Sequence, residues 1–380
     1  MTRVLQIVAV PSPVRGGEIG ITGPERRAAN LAPRWKDAGI EAAICYPRRG
    51  RLWDTIAASG VPVVDYEISG KFDLGAISKI AALARAHKAQ VIHTQGPAAL
   101  DLLAVLAARR AGAASMVTRP VMIEDQLNYS IRRRRIYALI DRVVTVKLAG
   151  RMVAVSEDGR RHLQGAAGVD VSRLVLIHNG IDPSKYAGRE ATASDGRADS
   201  PAVTLAMAAH LLPYKGWPDF IAVVARLRAE NLNIRALAIG EGSQRGELEA
   251  LVRAKGLDER FTFLGFRSDV AALLQGIDIF LFPSYREGLS VAVIEAMASG
   301  LPIVAAAAGG IREQVEEGAN GFVVAPGDVD AMTRHCAMLV RDPALRRTMG
   351  ETSRALARER FSEERMLKEY AACYRELASR

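Results

Sequence analysis

Two glutamates eight positions apart, Glu287 and Glu295, stand in the stretch Phe282-Pro-Ser-Tyr-Arg-Glu287-Gly-Leu-Ser-Val-Ala-Val-Ile-Glu295-Ala-Met-Ala-Ser-Gly300. The pattern predicts a strand ending at Pro283, a loop carrying Glu287, Gly288 and Leu289, and a helix entered through Ser290 as its N-cap, with Val291 its first residue. A helix that starts at the carboxyl end of a strand turns amide N–H groups and a positive dipole end toward that edge of the sheet, which suits a diphosphate. At ~1.5 Å rise per residue the two glutamate backbones lie roughly 8–12 Å apart. That span fits a sugar hydroxyl at one end of a ligand and a ribose diol at the other, and a carboxylate accepts two hydrogen bonds from vicinal hydroxyls. Solvent-facing glutamates are the alternative. Against it, Glu295 is embedded in Val-Ala-Val-Ile-Glu-Ala-Met-Ala, where a carboxylate is costly to bury without a partner.

Further groups could join this chemistry. Lys215-Gly216 follows another strand in His210-Leu-Leu-Pro-Tyr-Lys-Gly: the lysine supplies a point charge for phosphate and the glycine lets backbone approach closely. Gly265-Phe266-Arg267 follows a strand in the same half. In the first half Gly16-Gly17 comes after the first strand, and Thr22-Gly23-Pro-Glu25 opens a helix with Pro24 early in it. His93 ends the run Val91-Ile-His, followed by Thr94 and Gln95, and Arg119 follows another run. A hydrogen-bonded structural role and an acceptor-orienting one are both open for His93, and surface salt bridges are equally open for Arg119. Asp328-Val-Asp330 spells a metal-like pattern but precedes a helix, where capping explains it better; no metal site is expected.

With these residues assembled, the chain resembles the retaining glycosyltransferase family 4, of GT-B fold, over nearly its whole length. The Glu-x7-Glu motif of that family matches Glu287 and Glu295. Asn179-Gly-Ile-Asp182, Lys215-Gly216, Gly240-Glu-Gly242, Phe263-Leu-Gly-Phe266 and Gly309-Gly310 with Glu313 match other family elements. The resemblance implies that Glu287 contacts the donor sugar and Glu295 the ribose. It also implies backbone contacts to the base from Gly265, Phe266 and Arg267, and a glycine-rich loop at Gly16-Gly17 beside the donor phosphates. The catalytic group it suggests is Glu287, Lys215 and His93. Gly17, His210, Lys215, Gly216, Gly265, Phe266, Arg267, Glu287, Gly288, Leu289, Ser290, Val291 and Glu295 would hold the donor. Gly16, Gly23, Gln95 and Arg119 would lie toward the acceptor. Two positions depart from the family: His210 stands where an arginine usually clamps the diphosphate, and His93-Thr-Gln95 replaces His-x-His. The implied reaction moves a hexose-type sugar, with retention and without cofactor or metal, from a nucleotide diphosphate sugar (UDP rather than GDP) to a lipid-linked or polysaccharide acceptor. A non-catalytic nucleotide-sugar or glycan-binding protein, motivated by His210, and a nucleotide-sugar epimerase are the alternatives.

The elements that would position these groups are those of two α/β domains. A chain of 380 residues exceeds what one hydrophobic core usually organises. Short apolar β-rich runs at Val4–Val10, Glu41–Tyr46, Val61–Tyr66, Val91–His93, Ser115–Thr118 and Met152–Val155 alternate with helical patterns such as Glu25–Ala38, Leu74–His87 and Ala98–Ala111. Such alternation predicts parallel sheets covered on both faces. The pattern pauses over residues 187–201, rich in small and polar residues, and restarts at Val203–Ala208. The expected layout is therefore an acceptor-side Rossmann-like domain over residues 1–186, a linker over 187–201, a nucleotide-sugar domain over 202–361, and a C-terminal helix over 362–380 returning to the first domain.

Composition narrows the setting. Three widely spaced cysteines argue against a disulfide framework and fit a reducing compartment. No run approaches the ~20 apolar residues of a membrane span, and the apolar run at the start is too short for a signal peptide, so a cytoplasmic protein is expected. Residues 1–185 hold 27 Lys and Arg against 16 Asp and Glu, a net +11 against +9 for the whole chain. A basic first half favours an anionic partner, a phosphorylated lipid or acidic glycan rather than nucleic acid. The run Arg132–Arg135 beside an apolar helical segment suggests peripheral contact with the inner membrane.

Overall fold

The computed structural model describes residues 1–9, 22–66, 73–95, 98–119, 146–165, 167–187 and 202–379. These form two compact units. The first runs up to His178 and includes Glu364 onward; the second runs from Asn179 to Glu363.

The first unit is built on a seven-stranded parallel sheet: β1 (Thr2–Ile7), β2 (Ile40–Tyr46), β3 (Val63–Asp65), β4 (Val91–Thr94), β5 (Ala114–Arg119), β6 (Arg151–Ala154) and β7 (Leu174–Leu176), in the order β3-β2-β1-β4-β5-β6-β7. Alternate residues feed two cores. Val4, Ile44, Val91 and Met116 face Trp35, Tyr370 and Leu377, whereas Leu5, Ile7, Ala43 and Ile92 face Ile80, Leu103 and Ala107. Both faces are thus buried, as a parallel sheet requires. The helix expected over Glu25–Ala38 ends at Leu31 and passes into a 3₁₀ turn, Ala32–Arg34; Pro33 cannot donate to the helical ladder.

The second unit repeats the design with six parallel strands: β8 (Val203–Ala208), β9 (Ile234–Ile239), β10 (Phe261–Gly265), β11 (Ile279–Phe282), β12 (Ile303–Ala306) and β13 (Gly321–Val324), in the order β10-β9-β8-β11-β12-β13. In both sheets the order reverses beside the first strand, between β1 and β4 and between β8 and β11. In open α/β sheets such a reversal opens a crevice at the carboxyl ends of the strands, where ligands bind.

The boundary between the units falls at His178/Asn179, eight residues ahead of the expected position. The reason is bonding: Asn179 Nδ2 donates to the Leu289 carbonyl at 2.9 Å, the Tyr186 hydroxyl donates to Glu295 at 2.9 Å, and Ile181 bridges to Ser362. Of the expected linker, residues 188–201 lie outside the described residues.

The C-terminal helix, Glu363–Ala378, is tied to the first sheet by a buried polar network. Tyr374 Oη lies 2.6 Å from His93 Nδ1 and accepts from Gln6 Nε2 at 3.1 Å. His93 Nε2 lies 2.9 Å from Thr118 Oγ1, which lies 3.2 Å from the Tyr370 hydroxyl; Arg27 donates to that hydroxyl at 3.2 Å. A neutral imidazole supplies one donor and one acceptor, and the two hydroxyls satisfy both. Burial, and secondarily the Arg27 charge, hold the His93 pKa down to about 3.

The sign of the pH effect follows. Above about pH 6.5 the ring is neutral whether the chain is folded or not. As pH falls from there toward 3, the unfolded chain takes up a proton that the folded one refuses, so folding loses up to about 1.4 kcal/mol per pH unit. His93→Gln should remove this loss. Urea denaturation followed through Trp35, whose ring lies 5.5 Å from that of Tyr374, should show the wild-type advantage shrinking by about 1 kcal/mol per unit between pH 6 and pH 4; a constant difference would contradict it.

Candidate functional site

Lys215 and Glu287 meet at the strand-order reversal of the second unit. Lys215 closes a 3₁₀ turn (Pro213–Lys215) after β8, and Glu287 lies in the loop after β11. Lys215 Nζ is 2.5 Å from Glu287 Oε1, with both side chains mostly buried, 15% and 10% exposed. The ammonium also lies 5.2 Å from the Tyr214 ring and 5.9 Å from that of Phe282, so aromatic faces add to its stabilisation.

The two loops are fastened by backbone. Tyr285 N and Ser284 Oγ both donate to the Tyr214 carbonyl, at 2.8 and 3.3 Å. Gly216 adopts φ +76°, and a side chain there would run into the Pro283 carbonyl. Glycine is therefore required twice, for the left-handed backbone and for the close approach.

The helix beyond Glu287 runs from Val291 to Ala298, capped by Ser290, whose hydroxyl accepts from Val293 N at 3.4 Å. Gln314 clamps the cap residue from outside: Ser290 N donates to its Oε1 at 3.2 Å, and its Nε2 donates to the Ser290 carbonyl at 2.7 Å. The Gly288 carbonyl accepts from Gly310 N at 2.9 Å, and the Leu289 carbonyl from Asn179. Glu295, 4% exposed, takes the Tyr186 hydrogen bond at Oε1. An ammonium and a carboxylate thus meet just ahead of a helix N-terminus, with a second carboxylate, Glu295, buried one turn inside that helix. The ammonium and the helix N-terminus suit phosphate oxygens and the carboxylates suit hydroxyl pairs.

Nearby, Gly265 ends β10 at φ +70°, and its carbonyl accepts from Gly240 N at 2.9 Å. A Cβ at Gly265 would come within 2.7 Å of Glu241 Oε1. Phe266 is 36% exposed, open enough to offer a ring face. Arg267 is committed elsewhere: its guanidinium grips Asp269 in two hydrogen bonds of 2.7 and 2.5 Å. The contact expected of Arg267 at the donor site is one of backbone, on which this exposed side-chain pair does not bear. His210 is partly buried, and its carbonyl accepts from Trp217 Nε1 at 2.9 Å.

Residues expected toward the acceptor fare differently. His93 is fully buried with both ring nitrogens hydrogen-bonded within the first unit, so the catalytic expectation for it is corrected: it is a core histidine. Arg119 is also buried, with Nε 3.1 Å from Asp101 Oδ2, and Asp101 in turn accepts from Thr94 at 2.5 Å. It is neither a surface salt bridge nor an exposed acceptor ligand, because the pair stabilises two charges that burial alone would penalise. Gln95, at the end of β4, is 3% exposed. Gly23 is exposed and opens the first helix, with nothing near its Cβ position, so no close approach requires glycine there. Gly16, Gly17 and Arg132–Arg135 lie outside the described residues. Asp328 caps the Val329–Arg341 helix, accepting from Ala331 N at 2.9 Å. Among the described residues, no group of three or more His, Cys, Asp or Glu is placed to hold a metal ion.

Sequence reasoning missed Gln314 and Tyr186. Glu295 signalled the need for a buried donor, but nothing in the spacing identified which distant hydroxyl meets it.

A family model described as glycosyl transferases group 1 matches residues 189–356, and one described as Glycosyltransferase Family 4 matches residues 21–185. The chain belongs to glycosyltransferase family 4. Among this family 4 member's curated relatives, the 2-deoxystreptamine glucosyltransferase of Streptomyces kanamyceticus is 34% identical over 132 residues, 34% of each chain. The N-acetyl-alpha-D-glucosaminyl L-malate synthase of Bacillus anthracis is 28% identical over 204 residues, 53% of each chain. The chain thus spans a third to about half the length of these two relatives. The Anabaena protein HepE, solved in complex with UDP-glucose, superposes at TM-score 0.81 and 22% identity over 100% of both chains. The fold is GT-B.

Gly216→Ala should cost more than about 2 kcal/mol, the strain of a left-handed alanine plus displacement of the Pro283 loop, read as a lowered urea midpoint; a loss under 0.5 kcal/mol, on the order of a surface change, would show that the two loops are not held as described.

Proposed function

We propose that this family 4 protein is a retaining glycosyltransferase that moves a hexose-type sugar from a UDP-sugar to a lipid-linked or polysaccharide acceptor. The observation that carries the reading is the Lys215–Glu287 pair at the mouth of the Val291–Ala298 helix. The donor diphosphate takes the Lys215 ammonium and the helix N-terminus, which neutralise the charge that grows on the leaving group as the glycosidic bond breaks. Glu287, released from Lys215, accepts hydroxyls of the sugar, and Glu295 accepts the ribose diol. Uridine is favoured over guanosine by the kinship in fold with HepE, which was solved with UDP-glucose.

Bond changes are few. The acceptor oxygen bonds to the anomeric carbon on the face from which the phosphate leaves, the carbon–phosphate-oxygen bond breaks, and the acceptor's proton passes to a donor phosphate oxygen. Lys215 and the helix supply positive charge for this step, and we propose that no metal or cofactor is used. Donor-side backbone contacts from Gly265 and Phe266, a cation-poor His210 flank, and acceptor contacts near Gln95 complete the assignment. The basic first half favours an anionic acceptor, and Arg132–Arg135 would meet the anionic face of the membrane.

Calorimetry and donor turnover test this. UDP and UDP-glucose should bind the wild-type protein, and EDTA should change neither binding nor release of UDP. Lys215→Met should weaken UDP binding by about 10- to 100-fold, the loss of a charge-assisted contact. Glu287→Gln should leave UDP affinity equal or tighter, since Lys215 loses its competitor, while lowering sugar transfer at least about 100-fold, on the scale of removing a transition-state contact. Failure of UDP and GDP alike to bind would overturn the reading, and an inverted anomeric centre in the product would overturn retention.

A further inference from the structure

We infer that Tyr186 is a positioning residue for the donor site: its hydroxyl fixes the Glu295 carboxylate in the orientation that receives the nucleotide ribose. The inference rests on the donor-site reading proposed above and adds to it a residue that no motif contains.

Tyr186 ends the 3₁₀ turn Pro183–Tyr186, is itself buried, and donates its hydroxyl to Glu295 Oε1 at 2.9 Å. The turn is anchored independently of that bond. Asp182 caps it by accepting from Ser184 N at 3.0 Å, Gln275 Nε2 donates to the Tyr186 carbonyl at 3.2 Å, and Ile181 is bonded to the Phe361–Glu363 backbone on both sides. At Gly180 a Cβ would collide with the Ser362 carbonyl, so the strap lies flush on that backbone. Asn179, at the start of the strap, holds the Leu289 carbonyl just ahead of the helix. One short segment therefore grips the Glu287–Glu295 element at both ends, at Leu289 and at Glu295.

A glutamate has three side-chain torsions, each of which must be fixed before its carboxylate can meet a ligand in one orientation. A phenol donor on a rigid strap selects one rotamer before ligand arrives. Each carboxylate oxygen accepts more than one hydrogen bond, so the phenol and a ribose hydroxyl are compatible on the same group. Preorganising an acceptor lowers the ordering cost of binding, and it sharpens discrimination against a ligand that lacks the matching hydroxyl. Burial of Tyr186 serves packing as well, so the hydroxyl must be tested apart from the ring.

The test is the ratio of affinities for UDP and 2′-deoxy-UDP, by calorimetry on the folded protein, for wild type, Tyr186→Phe, Glu295→Ala and the double variant. Because each ratio compares two ligands on one protein, a loss of stability in a variant does not enter it. The wild-type ratio should be about 10 or more, the value of a hydrogen bond to a charged acceptor. Tyr186→Phe should bring it to about 3 or below, Glu295→Ala to near 1, and the double variant to no less than Glu295→Ala alone. A wild-type ratio near 1, or one unchanged by Glu295→Ala, refutes the ribose assignment itself. A ratio lost in Glu295→Ala but fully kept in Tyr186→Phe leaves that assignment standing and refutes the role of Tyr186.

Discussion

Everything in the second unit turns on stabilising charge at a sheet edge that is otherwise apolar. Lys215 and Glu287 leave β8 and β11, neighbouring strands on either side of the reversal in strand order, and each supplies the charge that makes the other tolerable there. Neither is fully buried, so the pair is screened in part and contributes little to stability; in the function proposed above it holds two opposite charges ready for a ligand that carries both phosphate and hydroxyls. The left-handed Gly216 and the doubly bonded Tyr214 carbonyl bring the two loops close enough for the pair to form.

The same constraint explains the helix that follows. Residues Val291–Ala298 carry one charged side chain, Glu295, in an apolar sequence that buries nearly every other position. Ser290 and Gln314 satisfy the backbone at its start, and Tyr186 satisfies the carboxylate within it. These partners come from sequence positions 109, 5 and 19 residues away from Glu295, so a helix that reads locally as plain core is a polar site built from distant segments.

Much of this was legible in the chain. The strands of the second unit follow apolar runs bounded by Gly, Pro and polar residues, and Ser290 announced its helix by type and place. Glu287 and Glu295 were legible because carboxylates so placed are costly without a purpose. The edge strand Leu174–Leu176 was not, being only three residues long. His93 stayed open between two roles for a physical reason: a histidine at the end of a central strand looks the same in sequence whether it faces a ligand or a neighbouring helix, and the hydroxyls that claim it, on Tyr374 and Thr118, stand 281 and 25 residues away. The domain border slid toward the N-terminus because composition marks where the chain is polar, whereas the border is set by where Asn179 and Tyr186 find their bonds.

The first unit shows the complementary use of buried polarity. Its histidine, tyrosine and threonine groups are satisfied among themselves, with the C-terminal helix as their partner, and they serve cohesion of that unit. Polar groups of the first unit are satisfied inside its core, whereas Lys215 and Glu287 pair at the strand reversal of the second. The most direct measurement of that distinction is a crystal structure of the protein with a non-transferable UDP-sugar analogue. Diphosphate oxygens should lie within about 2.7–3.2 Å of Lys215 Nζ and of the first amides of the Val291–Ala298 helix, with the ribose diol at the same range from Glu295. A nucleotide bound elsewhere, or one whose ribose lies beyond hydrogen-bond reach of Glu295, would contradict that placement.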